Sequence, residues 1–237
     1  MVVHGATLLA VLLVYGKDVW EILKESLSAI LEMVRHGDPG AVWHRRPYFR
    51  LAAYLLVGTV PAAVAGLLFQ DALEKAYGSL LAVGCLLIVT GTILYGTKSS
   101  KGEGRDLAGL SLRTCLVIGV AQSLALLPGI SRSGITIAAG LFCGLERDLS
   151  ARFSFLLSVP AILGANLLQA YKARGTLQTI DQGPFLLGGL TSLVTGYVAL
   201  RLLLSMVQKG HLFRFAYYCW AFGTLLAVIA WIGPNGS

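Results

Sequence analysis

Gln122-Ser123-Leu124-Ala125-Leu126-Leu127-Pro128-Gly129-Ile130-Ser131-Arg132-Ser133-Gly134-Ile135-Thr136 breaks a long apolar run with turn formers, hydroxyls and one charge. Arg132 is the only charged residue between Arg113 and Glu146. Pro128 lacks a backbone donor and Gly129 admits conformations closed to other residues, so a helix arriving from the N-terminal side ends here. Ser131 or Ser133 caps a new helix, which from Ser133 to Leu145 would reach about 20 Å at roughly 1.5 Å per residue. A hydrocarbon core is about 30 Å thick, so that helix does not cross it. Backbone groups freed at that depth must meet protein or water. The stretch therefore reads as a re-entrant hairpin or broken helix whose tip lies in a protein-lined cavity.

The rest of the 237 residues agrees with a membrane setting. Side chains are 56 % hydrophobic and 13 % charged, and the mean hydropathy is +0.73. Soluble domains carry about 25 % charged residues, so a soluble globule is excluded, and disorder fails on the same figures. The expected fold is an all-α integral membrane protein, a polytopic helical bundle forming one membrane domain over 1–237. Its spans fall near 2–15 (partial), 49–70, 78–96, 114–145 (broken or re-entrant), 149–171, 183–207 and 213–232. The first run has no basic lead-in and no small-residue cleavage site, which sets it apart from a signal peptide. It reads as the tail of a helix that begins upstream.

A net charge of +7 and a pI near 9.4 come from short basic clusters between apolar runs. No basic stripe carries interleaved aromatics, so nucleic acid is not an expected partner. Lys24, Arg35, Arg45 and Arg46 in one connection and Lys98, Lys101 and Arg105 in another mark those two as cytoplasmic; segment 71–77, with Lys75 against Asp71 and Glu74, is then external. Lys17, Asp18, Glu21, Lys24 and Glu25 have the spacing of a solvated helix end. Cys85, Cys115, Cys143 and Cys219 lie in apolar runs without CxxC spacing and read as small buried hydrophobes. His36 and His44 are too far apart for a metal site, and Asn166 and Gln169 suit interhelical hydrogen bonds. Val60-Pro61-Ala62 recurs as Val159-Pro160-Ala161, a weak sign of internal duplication.

The tip has the chemistry of an anion site. A helix N-terminus presents unpaired N–H groups and partial positive charge, and arginine adds a planar fork matched to phosphate oxygens. Ser131, Ser133 and Thr136 add hydroxyls, and either serine is a candidate nucleophile. A helix cap with a snorkelling arginine is the plain alternative, but it leaves the joint occurrence of Pro-Gly, Arg, two Ser, Gly and Thr unexplained.

Segment 128–136 resembles the PGxSRSGxT signature of the bacterial undecaprenyl-diphosphate phosphatase family of the bacitracin-resistance type. Segment 151–160 (Ala-Arg-Phe-Ser-Phe-Leu-Leu-Ser-Val-Pro) and Gly58-Thr59-Val60-Pro61 are also similar to that family. The resemblance implies hydrolysis of undecaprenyl diphosphate to undecaprenyl phosphate and phosphate, recycling the carrier lipid for peptidoglycan synthesis and conferring bacitracin resistance. It implies a multi-pass protein of the bacterial cytoplasmic (inner) membrane, with inverted repeats and two re-entrant hairpins. By the same carry-over Arg132 and Ser131 are catalytic, and Gly129, Ser133, Gly134 and Thr136 contact the substrate. A polyprenyl diphosphate lipid and the bilayer are the expected partners, with a homodimer as a candidate assembly. A divalent cation (Mg2+ or Ca2+) is implied, yet no ligands for one are identifiable in this chain. The family's first motif, a Glu pair followed by a Pro-x-Ser-Ser-x-Gly-His loop, has no counterpart here, and His4 is a poor substitute. Either the first hairpin precedes Met1, which the opening in mid-helix favours, or the chain is a short paralogue that binds polyprenyl phosphate without hydrolysing it. A polyprenyl-phosphate flippase is the further alternative.

Overall fold

Apolar runs bounded by caps and turn formers produce helices throughout the computed structural model, which describes residues 2–36, 38–100, 104–172 and 182–232. In chain order the helices are α1 (Val2–His36), α2 (Pro39–Arg45), α3 (Pro47–Leu68), α4 (Gln70–Tyr77), α5 (Leu80–Gly96), α6 (Leu112–Leu124), α7 (Arg132–Phe142), α8 (Arg147–Lys172), α9 (Gln182–Gln208) and α10 (Phe215–Ile232). Among the described residues the single β-type pairing is an isolated bridge between Arg105 and Leu145. Five helical stretches among the described residues are long and apolar enough to cross a membrane: Pro47–Leu68, Leu80–Ser99, Arg147–Leu167, Leu187–Gln208 and Leu212–Ile232. The chain is a multi-pass, all-α membrane protein.

Contacts divide it into two compact units, Met1–Leu56 with Phe155–Ser205, and Val57–Ser154 with Met206–Ser237. In the first, α1 does not stop at Tyr15 as the run 2–15 suggests. It only kinks there (φ −109°, ψ 20°) and continues to His36, because apolar residues recur at helical spacing through Val19, Ile22, Leu23, Ala29 and Ile30. Tyr15 stacks on Phe155 with ring centroids 6.1 Å apart. Glu25 is more than a solvated charge, since its carboxylate accepts the Tyr48 N–H at 2.9 Å and so caps the start of α3. Glu32 pairs with Arg46 at 2.7 Å. Lys101 and the side chains of His4, His36 and Gln169 lie outside the described residues.

The second unit carries the broken segment. Its frame is α5, two neighbouring faces of which do different work. On one, Gly84 and Gly91 let α10 approach closely: a Cβ on Gly84 would stand 2.8 Å from the Gly223 carbonyl oxygen, and one on Gly91 would stand 2.7 Å from the Trp220 ring. On the other, Val83, Leu86, Thr90 and Leu94 meet the segment from Gly129 to Gly134. The expected external connection 71–77 is helical, forming most of α4. Cys115 and Cys219 are buried as expected, whereas Cys85 is exposed on α5.

Candidate active site

The predicted break lies between α6, which ends at Leu124, and α7, which begins at Arg132. Tight turns carry the chain between them, with Leu126 N–H donating to Ser123 O (3.2 Å) and Ile130 N–H to Leu127 O (3.3 Å). Gly129 adopts φ +96°, and a Cβ there would sit 2.5 Å from the Val83 carbonyl oxygen of α5. Both properties require glycine. With 13 and 11 residues, α6 and α7 are too short to cross a bilayer singly.

Ser131, rather than Ser133, caps α7: its Oγ accepts the Gly134 N–H at 3.2 Å. The first two helical N–H groups, those of Arg132 and Ser133, have no acceptor among the described residues. Arg132 is half-buried, and among the described residues no carboxylate or hydrogen-bond acceptor meets its guanidinium. Ser133 is half-buried beside it. An arginine, two free peptide N–H groups and hydroxyls thus share the first turn of α7, where the helix dipole is positive, which suits an anion. Thr136 is placed differently. Fully buried, its hydroxyl donates to the Arg132 carbonyl at 2.7 Å and lies 2.6 Å from Ser154 Oγ, so it braces the first turn of α7.

Two residues beyond the motif belong to this region. Thr90 of α5, buried at 2 % exposure, places its hydroxyl 3.0 Å from both Gly129 O and Leu86 O, which share its one proton, and accepts the Ser131 N–H at 3.4 Å. The sequence shows only hydroxyls in an apolar span, and nothing there separates Thr90 from Thr92, whose hydroxyl bonds to Ile88 O instead. Gln122, in the last turn of α6, is 3 % exposed, and neither polar atom of its amide has a partner among the described residues.

The far end of α7 is also tethered. Arg105 N–H donates to Gly144 O at 2.8 Å, Glu146 N–H donates to Arg105 O at 3.1 Å, and the Arg105 guanidinium donates to Cys143 O. Gly144 closes the helix at φ +78°.

The implied divalent cation does not fit these donors. The tip offers hydrogen-bond donors and a positive charge, and among the described residues no three His, Cys, Asp or Glu lie together as metal ligands. An apolar groove of about 460 Å³ along α6, lined by Leu112, Arg113, Leu116, Val117 and Val120, does not include the tip.

The family model described as "Bacitracin resistance protein BacA" matches residues 1–225. An undecaprenyl-diphosphatase of Methanobrevibacter smithii is 39 % identical over 224 residues, covering 94 % of this chain and 80 % of that protein. One from Methanothermobacter thermautotrophicus is 46 % identical over 181 residues, covering 75 % of this chain and 99 % of its own length. One from Desulforapulum autotrophicum is 41 % identical over 228 residues, covering 96 % and 82 % respectively.

Proposed function

Because this chain belongs to the bacitracin resistance protein BacA family, we propose that it is an undecaprenyl-diphosphatase, releasing inorganic phosphate and leaving undecaprenyl phosphate. The observation that carries this reading in the molecule itself is Arg132: a guanidinium with no partner among the described residues, at the start of a helix too short to span the bilayer. In the reaction a water oxygen forms a bond to the terminal phosphorus and the bond from that phosphorus to the bridging oxygen breaks. The electron pair leaves with the lipid monophosphate, and the water's proton goes to the released phosphate or to solvent.

This chain's residues act on the charge of that step. The Arg132 fork and the N–H groups of Arg132 and Ser133 hold phosphate oxygens whose charge grows toward the transition state. Ser131 Oγ takes the Gly134 N–H as acceptor, which leaves its own proton for a phosphate oxygen. Ser133 offers a second hydroxyl, Gly129 shapes the turn, and Thr136 fixes the peptide of Arg132. The substrate is a lipid, so the enzyme works from within a membrane. We place it in the cytoplasmic membrane, returning the carrier lipid to cell-wall synthesis and so protecting against bacitracin.

Phosphate release from undecaprenyl diphosphate by the purified chain in nanodiscs tests the reading. Arg132→Ala is expected to lower turnover by about 10²–10³-fold, as loss of a transition-state donor does. Undiminished turnover in that variant would overturn the role of the tip. Movement of the lipid between leaflets without phosphate release would mark a flippase instead.

A further inference from the structure

We infer that Thr90 is a positioning residue for the reaction, holding by its single hydroxyl the interrupted backbone that carries Ser131 and Arg132. The inference rests on the tip being the phosphate site. A broken helix leaves carbonyl and N–H groups unpaired at membrane depth, where water is not freely available to meet them. One such carbonyl, Gly129 O, and one such N–H, that of Ser131, both meet Thr90 Oγ1, at 3.0 and 3.4 Å. Ser131 is 41 residues away in sequence, so no local turn makes this contact. The hydroxyl donates on one side of Ile130 and accepts on the other, which fixes the direction in which the chain enters α7.

The platform beneath it is closely packed. A Cβ on Gly129 would stand 2.5 Å from Val83 O and 3.2 Å from Leu86 Cβ, and one on Gly134 3.2 Å from Leu94 Cδ2, so Leu86, Thr90 and Leu94 face the segment at successive four-residue steps of α5. The Thr90 hydroxyl is the polar member of that row. Without it Ser131 and Arg132 keep their chemistry but lose the anchor that sets their position against the phosphate. Small displacements of this kind lower turnover by up to about 100-fold without removing any reacting group.

The test is a set of Thr90 variants in nanodiscs, each measured for kcat, KM and thermal midpoint on undecaprenyl diphosphate. Thr90→Val, which swaps hydroxyl for methyl at nearly constant shape, is expected to lower kcat per folded molecule by about 10–100-fold with KM little changed. Thr90→Ser, which keeps the hydroxyl, is expected to stay within about threefold of wild type. Should Thr90→Val not fold, Thr90→Cys compared with Thr90→Ser decides: both lack the γ-methyl and differ in donor, and the weak thiol donor should lower kcat at least about tenfold below the serine variant. A purely structural threonine would shift the midpoint and leave kcat per folded molecule unchanged in these variants, and that result overturns the inference alone. A wild-type chain that releases no phosphate overturns the reading of the site and this inference with it.

Discussion

An arginine at membrane depth costs about 2.5–3.5 kcal/mol on insertion scales and is retained where something answers its charge. Among the described residues no carboxylate does so for Arg132, as the proposed phosphate site requires. Arg132→Lys keeps the charge but not the fork, and it is expected to recover no more than about a tenth of wild-type phosphate release, the share left when a bidentate partner becomes a point charge. Gly129→Ala should lower the thermal midpoint, since φ +96° alone costs a side chain roughly 1–2 kcal/mol, and the Val83 carbonyl stands 2.5 Å from the added atom. Gln122→Leu should raise the midpoint, because a buried amide without partners forfeits about 1–3 kcal/mol of desolvation. At this scale the break was legible: Pro128 and Gly129 can do little else at mid-run. Thr90 was not, because its meaning arises from a contact between segments far apart in the chain. Gln122 stood in plain view as a polar residue, but its lack of partners exists only in the packed molecule.

Helices α5 and α10 meet through glycines, and a neighbouring face of α5 supports the tip. Gly84→Val would place an atom 2.8 Å from the Ala227 nitrogen and the Gly223 carbonyl oxygen, both backbone, so the helices must part rather than a side chain turn aside. Overpacking of this kind costs about 1–3 kcal/mol, read as a lower thermal midpoint. Turnover should fall with it, as the displaced helix is the one on which Ser131 and Arg132 depend. Long apolar runs made α3, α5, α8, α9 and α10 readable, since roughly twenty residues without charge have few other fates. The second half of α1 was harder, because its charges suggested an exit into water while its apolar positions kept the helical period. Glu25 illustrates the limit: a carboxylate amid other charges reads as solvated until the start of α3 is brought beside it.

Many large apolar side chains of the whole molecule are exposed, Leu13, Trp20, Leu68 and Trp231 among them, and a bilayer is the medium in which that surface is stable. Composition announced this plainly. Charge asymmetry carries the orientation as well: α5 crosses once between α4 and the basic connection before α6, so the two lie on opposite sides. A cysteine introduced as Glu74→Cys should react with an impermeant maleimide on intact cells, and one introduced as Arg113→Cys only after the membrane is opened. The reverse pattern would invert the molecule. Helix α7 is gripped at its start by Thr90 and at its finish by the pairing of Arg105 with residues 143–146. Held at both ends, α7 behaves as a clamped beam: a substitution that frees either end should lower the thermal midpoint more than one at an exposed position between them.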